Sequence, residues 1–500
     1  MKKLLLFLFV LLILNSSFLI QNSEAQWQLD VRLTNDPAVS KTSPNNAWCL
    51  ASSGSVVHVV WEDRRDGNPE IYYKRSTDAG ISWGLDIRLT DYTYSSESPS
   101  VAVSGSVVHV VWQDYRNGNT EIYYKRSTDA GISWGTDTQL TNNTSGSNYP
   151  SVTVSGSVVH VVWYDGRDGN YEIYYKRSSD SGVNWGTDIR LTNNSAGSYD
   201  PSVAVSGSVV HVVWTDIRDG NLEIYCKRSP DGGVSWGIDT RLTNNTTRSE
   251  RSSVAVSGSV VHVVWFDDRD GNTEIYYKRS TDGGVSWGTD IRLTNNTAGS
   301  YSPSVAVSGL VVHVIWEDTR DGNMEIYYKR SPDEGVSWGA DTRMTNNTAM
   351  SFSPSVAVSG SVVHVVWTDD RDGNAEIYYK RDPTGNVGIE NISTEIPSAY
   401  SLSQNYPNPF NPTTKIKFDV APSLSFPLAK QIRGAFSSGN PVLLKVYDIM
   451  GREVQTLVNE TLKPGTYETA FDGSTLTSGV YFYKLVIEGF TETKRMLMIK

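Results

Sequence analysis

The chain has 500 residues, a formal net charge of −11 and 20% charged side chains. The charge is spread along the sequence with no basic cluster able to neutralise a run of phosphates, which excludes nucleic acid as a partner. Two cysteines, Cys49 and Cys226, are too few for a disulfide framework and fall in different repeats, so both read as small buried hydrophobes.

At the start of the chain, Lys2 and Lys3 precede an apolar run from Leu4 to Leu14, with small residues at Ser23 and Ala25. This is the pattern of a secretory signal peptide over residues 1–25. The run is too short to span a bilayer, and no later segment offers the roughly 20 apolar residues of a membrane helix, so no transmembrane segment is expected.

Residues 26–388 are a repeat array. Val-His-Val-Val-Trp ends at Trp61, Trp112, Trp163, Trp214, Trp265, Trp316 and Trp367, with Ile315 replacing one valine, and successive tryptophans are 51 positions apart. Every histidine of the chain (His58, His109, His160, His211, His262, His313, His364) occupies the same place in its unit. One unit holds four β-prone stretches: A (residues 100–104), B (Val107–Asp114), C (Glu121–Ser127) and D (136–141), with Gly105-Ser106 as a tight hairpin between A and B. Stretch B is apolar on both faces, as a strand sandwiched between neighbouring sheets must be. After the seventh C stretch the pattern ends at Asp382-Pro383, without a D stretch. An orphan D stretch, Trp27-Gln28-Leu29-Asp30-Val31-Arg32-Leu33-Thr34, opens the array instead. The expected fold is all-β: a seven-bladed β-propeller of four-stranded antiparallel blades, closed by the N-terminal strand, plus a small C-terminal β-sandwich. The alternative, an open solenoid, calls for distinct polar capping repeats.

Between stretches C and D, six units carry one turn: Ser76-Thr77-Asp78-Ala79-Gly80-Ile81-Ser82-Trp83, then blocks with Asp129 and Trp134, Asp180 and Trp185, Asp231 and Trp236, Asp282 and Trp287, and Asp333 and Trp338. A carboxylate opening a tight turn accepts backbone N–H bonds, the glycine allows positive φ, and the tryptophan plugs the turn. These blocks resemble the Asp-box, or bacterial neuraminidase repeat, of the sialidase superfamily. The resemblance implies a propeller, with these Asp and Trp residues structural and the ligand face at the opposite, B–C end. The family site it implies is an arginine cluster, a Tyr-Glu pair and an Asp acid/base near the ring axis. Here the early Arg-Ile-Pro signature is missing, and no arginine, glutamate or tyrosine stands out as a one-off, so no catalytic residue is assigned.

The histidines read as structural imidazoles, since equivalent positions in separate blades cannot share one metal ion. In the B–C loops, Asp63-Arg64-Arg65-Asp66-Gly67-Asn68-Pro69-Glu70 for example, the acidic and amide oxygens suggest calcium, but the arginine and the incomplete spacing favour Asp–Arg pairing. No cofactor is assigned. The copies disagree at the residue after the repeated tryptophan and two positions further on; there Glu62, Tyr115, Tyr164, Phe266 and Glu317 are the candidate ligand-binding residues, against the bland reading that exposed positions drift.

After a linker (389–412), residues 413–500 form a separate domain. Asn405-Tyr406-Pro407-Asn408-Pro409, Lys445-Val446-Tyr447-Asp448, Gly451-Arg452-Glu453-Val454, Pro464-Gly465-Thr466-Tyr467, Ser478-Gly479-Val480-Tyr481 and Thr493-Lys494-Arg495-Met496 closely resemble the type A C-terminal sorting domain of bacterial type IX secretion, interrupted by an insertion at 424–440. The resemblance implies export across both membranes, the secretion machinery as partner, and release or surface attachment. The expected function is a monomeric secreted or surface-displayed binding module for glycan or another extracellular polymer. The alternatives are a sialidase-like glycoside hydrolase and a structural surface repeat protein without a ligand.

Overall fold

A computed structural model describes residues 27–43, 49–360, 362–383, 385, 389–393, 395–422, 440–462, 464–473, 476–487 and 489–499. The signal peptide and, apart from Asn440, the insertion at 424–440 lie outside the described residues. Those residues form strands and turns without a helix.

Among the described residues the repeat region folds into successive antiparallel sheets of one design, making the fold a β-propeller. The second blade runs strand A (Ser96–Ser104), B (Val107–Asp114), C (Glu121–Ser127), D (Thr138–Gln139), hydrogen-bonded in that order. B and C match their expected limits, because period and turn residues define them. Strand A starts earlier than expected, at a bulge between Glu97 and Ser100. Strand D shrinks to two residues, a short outer edge that limits pairing with other chains. Burial on both faces of B is complete for Val108, Val110, Val111 and Trp112. Removing each such side chain from water contributes on the order of 2 kcal/mol. In the first blade, strand A is split into Ser40–Lys41 and Leu50–Ser53.

Neighbouring blades interlock through one aromatic pair. The Trp134 ring stands edge-on to Tyr73 of the preceding unit at 4.9 Å, and the same contact joins Trp185 to Tyr124 and Trp338 to Tyr277. Gly131 lets this happen: a Cβ there would lie 1.9 Å from the Tyr73 hydroxyl, and its φ is +82°. The fourth unit has the buried Cys226 in place of that tyrosine. At the ends of the array, Trp83 meets Tyr379 at 4.8 Å and Trp27 meets Tyr328 at 5.0 Å. Strand Val31–Arg32 pairs with Glu376–Asp382, aligning Val31 with Tyr379.

The C-terminal domain is a sandwich of two four-stranded sheets around Ile416, Phe418, Leu444, Val446, Phe471 and Tyr483. Two of its strands, Ile389–Ser393 and Ser401–Leu402, come from the segment expected as a linker; they pair with Gly465–Asp472 and Thr413–Val420.

Candidate functional site

The A-strand bulge recurs where the sequence reads Ser-x-x-Pro-Ser-Val, or a close variant, and it puts a non-glycine residue in the left-handed region: Ser98, Tyr149, Asp200, Arg251, Ser302 and Ser353, with φ between 48° and 53°. Bulges re-aim side chains, and left-handed φ is uncommon outside glycine. Three successive blades replace serine with Tyr149, Asp200 and Arg251. These three interact electrostatically across the blades, and Arg251 Nη1 donates to Ser302 Oγ at 3.3 Å. The bulge residues therefore gather at the B–C end of the inner strands.

The Asp200 side chain keeps partial solvent access yet is largely surrounded by protein. Desolvation, with the like charge of Glu250 beside it, pushes its carboxyl up to about 6 against the opposing pull of Arg251. Among the described residues it accepts no hydrogen bond and forms no ion pair within 4 Å. Tyrosines surround this corner. Tyr164 stacks on Tyr149 at 5.6 Å and meets Tyr171 and Tyr199 edge-on at 5.1 and 5.8 Å. Tyr171 is 41% exposed and Tyr115 36%. Below them, the inner strands line a cavity of about 240 Å³ with Ala102, Thr153, Ala204, Ala255, Ala306 and Ala357, so the groups able to do chemistry sit at its rim.

Of the five candidate ligand residues, Tyr164 and Tyr115 lie in this tyrosine cluster. Glu62 lies near Glu97, half-buried and bonded by Arg64 at 3.3 Å; burial first, then Glu97, raises its pKa. Phe266 and Glu317 correct the expectation, being 4% and 7% exposed. Phe266 packs into the interior beside Ile275 and Val305. Glu317 is a connector: its carboxylate accepts from Ser302 Oγ and Ser353 N, both at 2.9 Å. Gln113 accepts from Tyr149 N, Thr215 from Arg251 N and Thr368 from Thr42 N in the same way, so in these blades the variable position points across to the next blade rather than to solvent.

Sequence reasoning missed Tyr149, Asp200 and Arg251, which are one-off residues after all. Their signal was variation inside an otherwise repeated Ser-x-x-Pro segment.

In the B–C loops the aspartates are already engaged. Asp114 accepts from Trp112 Nε1 and Arg116 Nε at 2.8 Å and from Arg116 Nη2 at 2.6 Å, while Arg116 Nη1 reaches Asp137 at 2.8 Å. Burial opposes ionisation of Asp114, but these donors outweigh it and lower its pKa. The Asp–Arg pairing expected of the B–C loops is thus present. In the C–D turns, Asp129 accepts from Ser133 N, Ile132 N and the Ser133 hydroxyl, which hold its carboxyl below the usual range. The other turn aspartates, Asp78, Asp180, Asp231, Asp282 and Asp333, accept from the residue four positions on.

Residues 404–500 match the secretion system C-terminal sorting domain family. The chain ends in a type IX secretion sorting domain. The protein is accordingly secreted or attached at the outer surface. No curated protein matches the sequence. Among solved structures, a polysaccharide lyase aligns at TM-score 0.50 and 9% identity, covering 71% of this chain and 99% of that one. The sialidase of Trypanosoma rangeli aligns at TM-score 0.42 and 11% identity, covering 93% and 90%. At these identities the likeness concerns fold alone. In the sorting domain, Asp448 accepts from Met450 N and Arg452 N to shape a turn that presents Ile449 and Met450 to solvent. Among the described residues no helix is long and apolar enough to cross a membrane.

Proposed function

We propose that the repeat region is a seven-bladed propeller closed by the N-terminal strand, and that it acts outside the cell as a glycan-binding module. Closure is supported by the Val31–Tyr379 register, by Leu33 N donating to Ile377 O at 2.8 Å, and by the neighbours of Leu50–Ser53, which are the inner strands Ser96–Ser104 and Ser351–Ser359. The binding reading rests on one observation: Tyr149, Tyr164, Tyr171 and Tyr199 cluster beside the unpartnered Asp200 at the rim of the inner strands. Tyrosine faces cover the C–H faces of sugar rings, and a desolvated carboxylate accepts hydroxyl donors. The rigid inner strands hold both in place at little entropic cost.

The test is an array of extracellular glycans probed with the mature chain and with Tyr164→Ala/Tyr171→Ala. Saturable binding that weakens about tenfold or more in the variant, roughly 1.4 kcal/mol or above, supports the module. Equal binding by the variant, or none by either protein, rejects it. The raised Asp200 carboxyl favours a second reading, a sialidase-like hydrolase using Asp200 as general acid. Sugar release from a sialoside, lost in Asp200→Asn while binding persists, would establish that reading instead.

A further inference from the structure

The reading above leaves open which glycans the rim takes, and its charges narrow the choice. Among its cations, Arg64 pairs with Glu62 at 3.3 Å, Arg248 with Asp268 and with Glu250 at 3.2 Å, Arg251 donates to Ser302, and the exposed Lys41 acts on Glu62 and Asp370. Its anions are in excess. Glu97 acts on Tyr149 and on Glu62, and Glu250 acts on Asp200. At the centre stands Asp200, with neither hydrogen bond nor ion pair among the described residues. An unpaired carboxylate enclosed by protein is costly, and a ligand cation that reaches it recovers that cost. The tyrosine faces nearby attract the same charge through their ring quadrupoles.

We infer that the rim recognises an ammonium-bearing saccharide, a de-N-acetylated hexosamine chain, with the ammonium on Asp200 and the sugar rings against Tyr149, Tyr164 and Tyr171. Acidic glycans are disfavoured, because a carboxylate or sulfate there would face Asp200, Glu97 and Glu250. The inference rests on the glycan-binding reading and goes beyond it in naming the charge.

The experiment titrates the mature chain by calorimetry with four hexasaccharides of similar length: a β-1,4-glucosamine, its N-acetylated counterpart, a β-1,4-glucose and a galacturonate. The glucosamine chain is expected to bind at least about tenfold more tightly than the N-acetylated and neutral chains, and the galacturonate most weakly. Asp200→Asn should bring the first three to similar affinity while its unfolding midpoint stays near that of the parent. Equal or tighter binding of the N-acetylated, neutral or acidic chain by the parent protein overturns the charge assignment and leaves the glycan reading standing. Binding of none of the four overturns both. The comparison among ligands needs no variant, so it holds even if Asp200→Asn fails to fold.

Discussion

His58 Nδ1 lies 2.7 Å from the Tyr73 hydroxyl, with the two rings stacked at 5.9 Å, and the pair recurs blade after blade as His109–Tyr124, His160–Tyr175, His262–Tyr277 and His364–Tyr379. In His58, His109, His262 and His364 Nε2 is buried without a partner. The ring is therefore held neutral, and the hydroxyl it engages belongs to the tyrosine that meets the next blade's tryptophan. One hydrogen bond thus lies at each of these seams, whereas the fourth unit has Cys226 in place of the tyrosine.

The first consequence is acid lability. Desolvation, with the nearby arginine second, lowers the pKa of His58, His109, His160 and His211 to about 4, and of His262 and His364 to about 3, from an ordinary 6.5. A base whose folded pKa is depressed contributes stability above its unfolded pKa and loses it as pH falls from 6.5 toward 4, at up to about 1.4 kcal/mol per pH unit for each histidine. The urea midpoint of the propeller should drop steeply between pH 6.5 and 5. A midpoint that stays flat over that interval would contradict the argument.

The second concerns closure. Leu33 and Leu140 hold equivalent D-strand places and are both buried, at 4% and 3% exposure. If the N-terminal strand is an integral part of the last blade, Leu33→Ala and Leu140→Ala should each destabilise by about 2–4 kcal/mol. In an open array Leu33→Ala would be nearly silent, and denaturant unfolding of the two variants distinguishes the cases.

Strands B and C were legible in the sequence because their periodicity and their Gly-Asn turns repeat without exception. The split inner strand before Leu50 and the bulge at Ser98 were not. A left-handed serine, tyrosine or arginine carries no glycine to announce it, and the extra bulge residue breaks the alternation on which strand reading depends. The site was misread for a related reason. Variation after the repeated tryptophan looked like an exposed recognition loop, yet Glu317 and Gln113 turn sideways to bond the neighbouring blade. Variation marks recognition only where the side chain reaches solvent, and sequence alone did not distinguish Tyr115 from Phe266.

The third expectation separates binding from hydrolysis by pH. Desolvation raises the Asp200 carboxyl, Arg251 pulls it down and Glu250 adds to the rise, and the result is about 6. A carboxylate that attracts an ammonium group must be ionised, so affinity for the glucosamine chain should rise between pH 5 and 6, where its amines still carry their protons. A general acid must be protonated, and turnover would fall over the same interval. The slope of affinity between pH 5 and 6 decides the sign.

The last expectation contrasts two residues of the same face. Glu317 bonds Ser302 and Ser353 in a buried seam, so Glu317→Ala strands a buried hydroxyl and a backbone N–H and should cost about 1–3 kcal/mol of stability. Its effect on ligand affinity should be small, because its carboxylate is enclosed. Tyr171 stands largely exposed against Tyr164 and Tyr199, so Tyr171→Ala should leave the unfolding midpoint almost unchanged while weakening glycan binding severalfold. Measuring both quantities on both variants is decisive. If Glu317→Ala proves the binding mutant and Tyr171→Ala the destabilised one, the rim has been assigned to the wrong side chains.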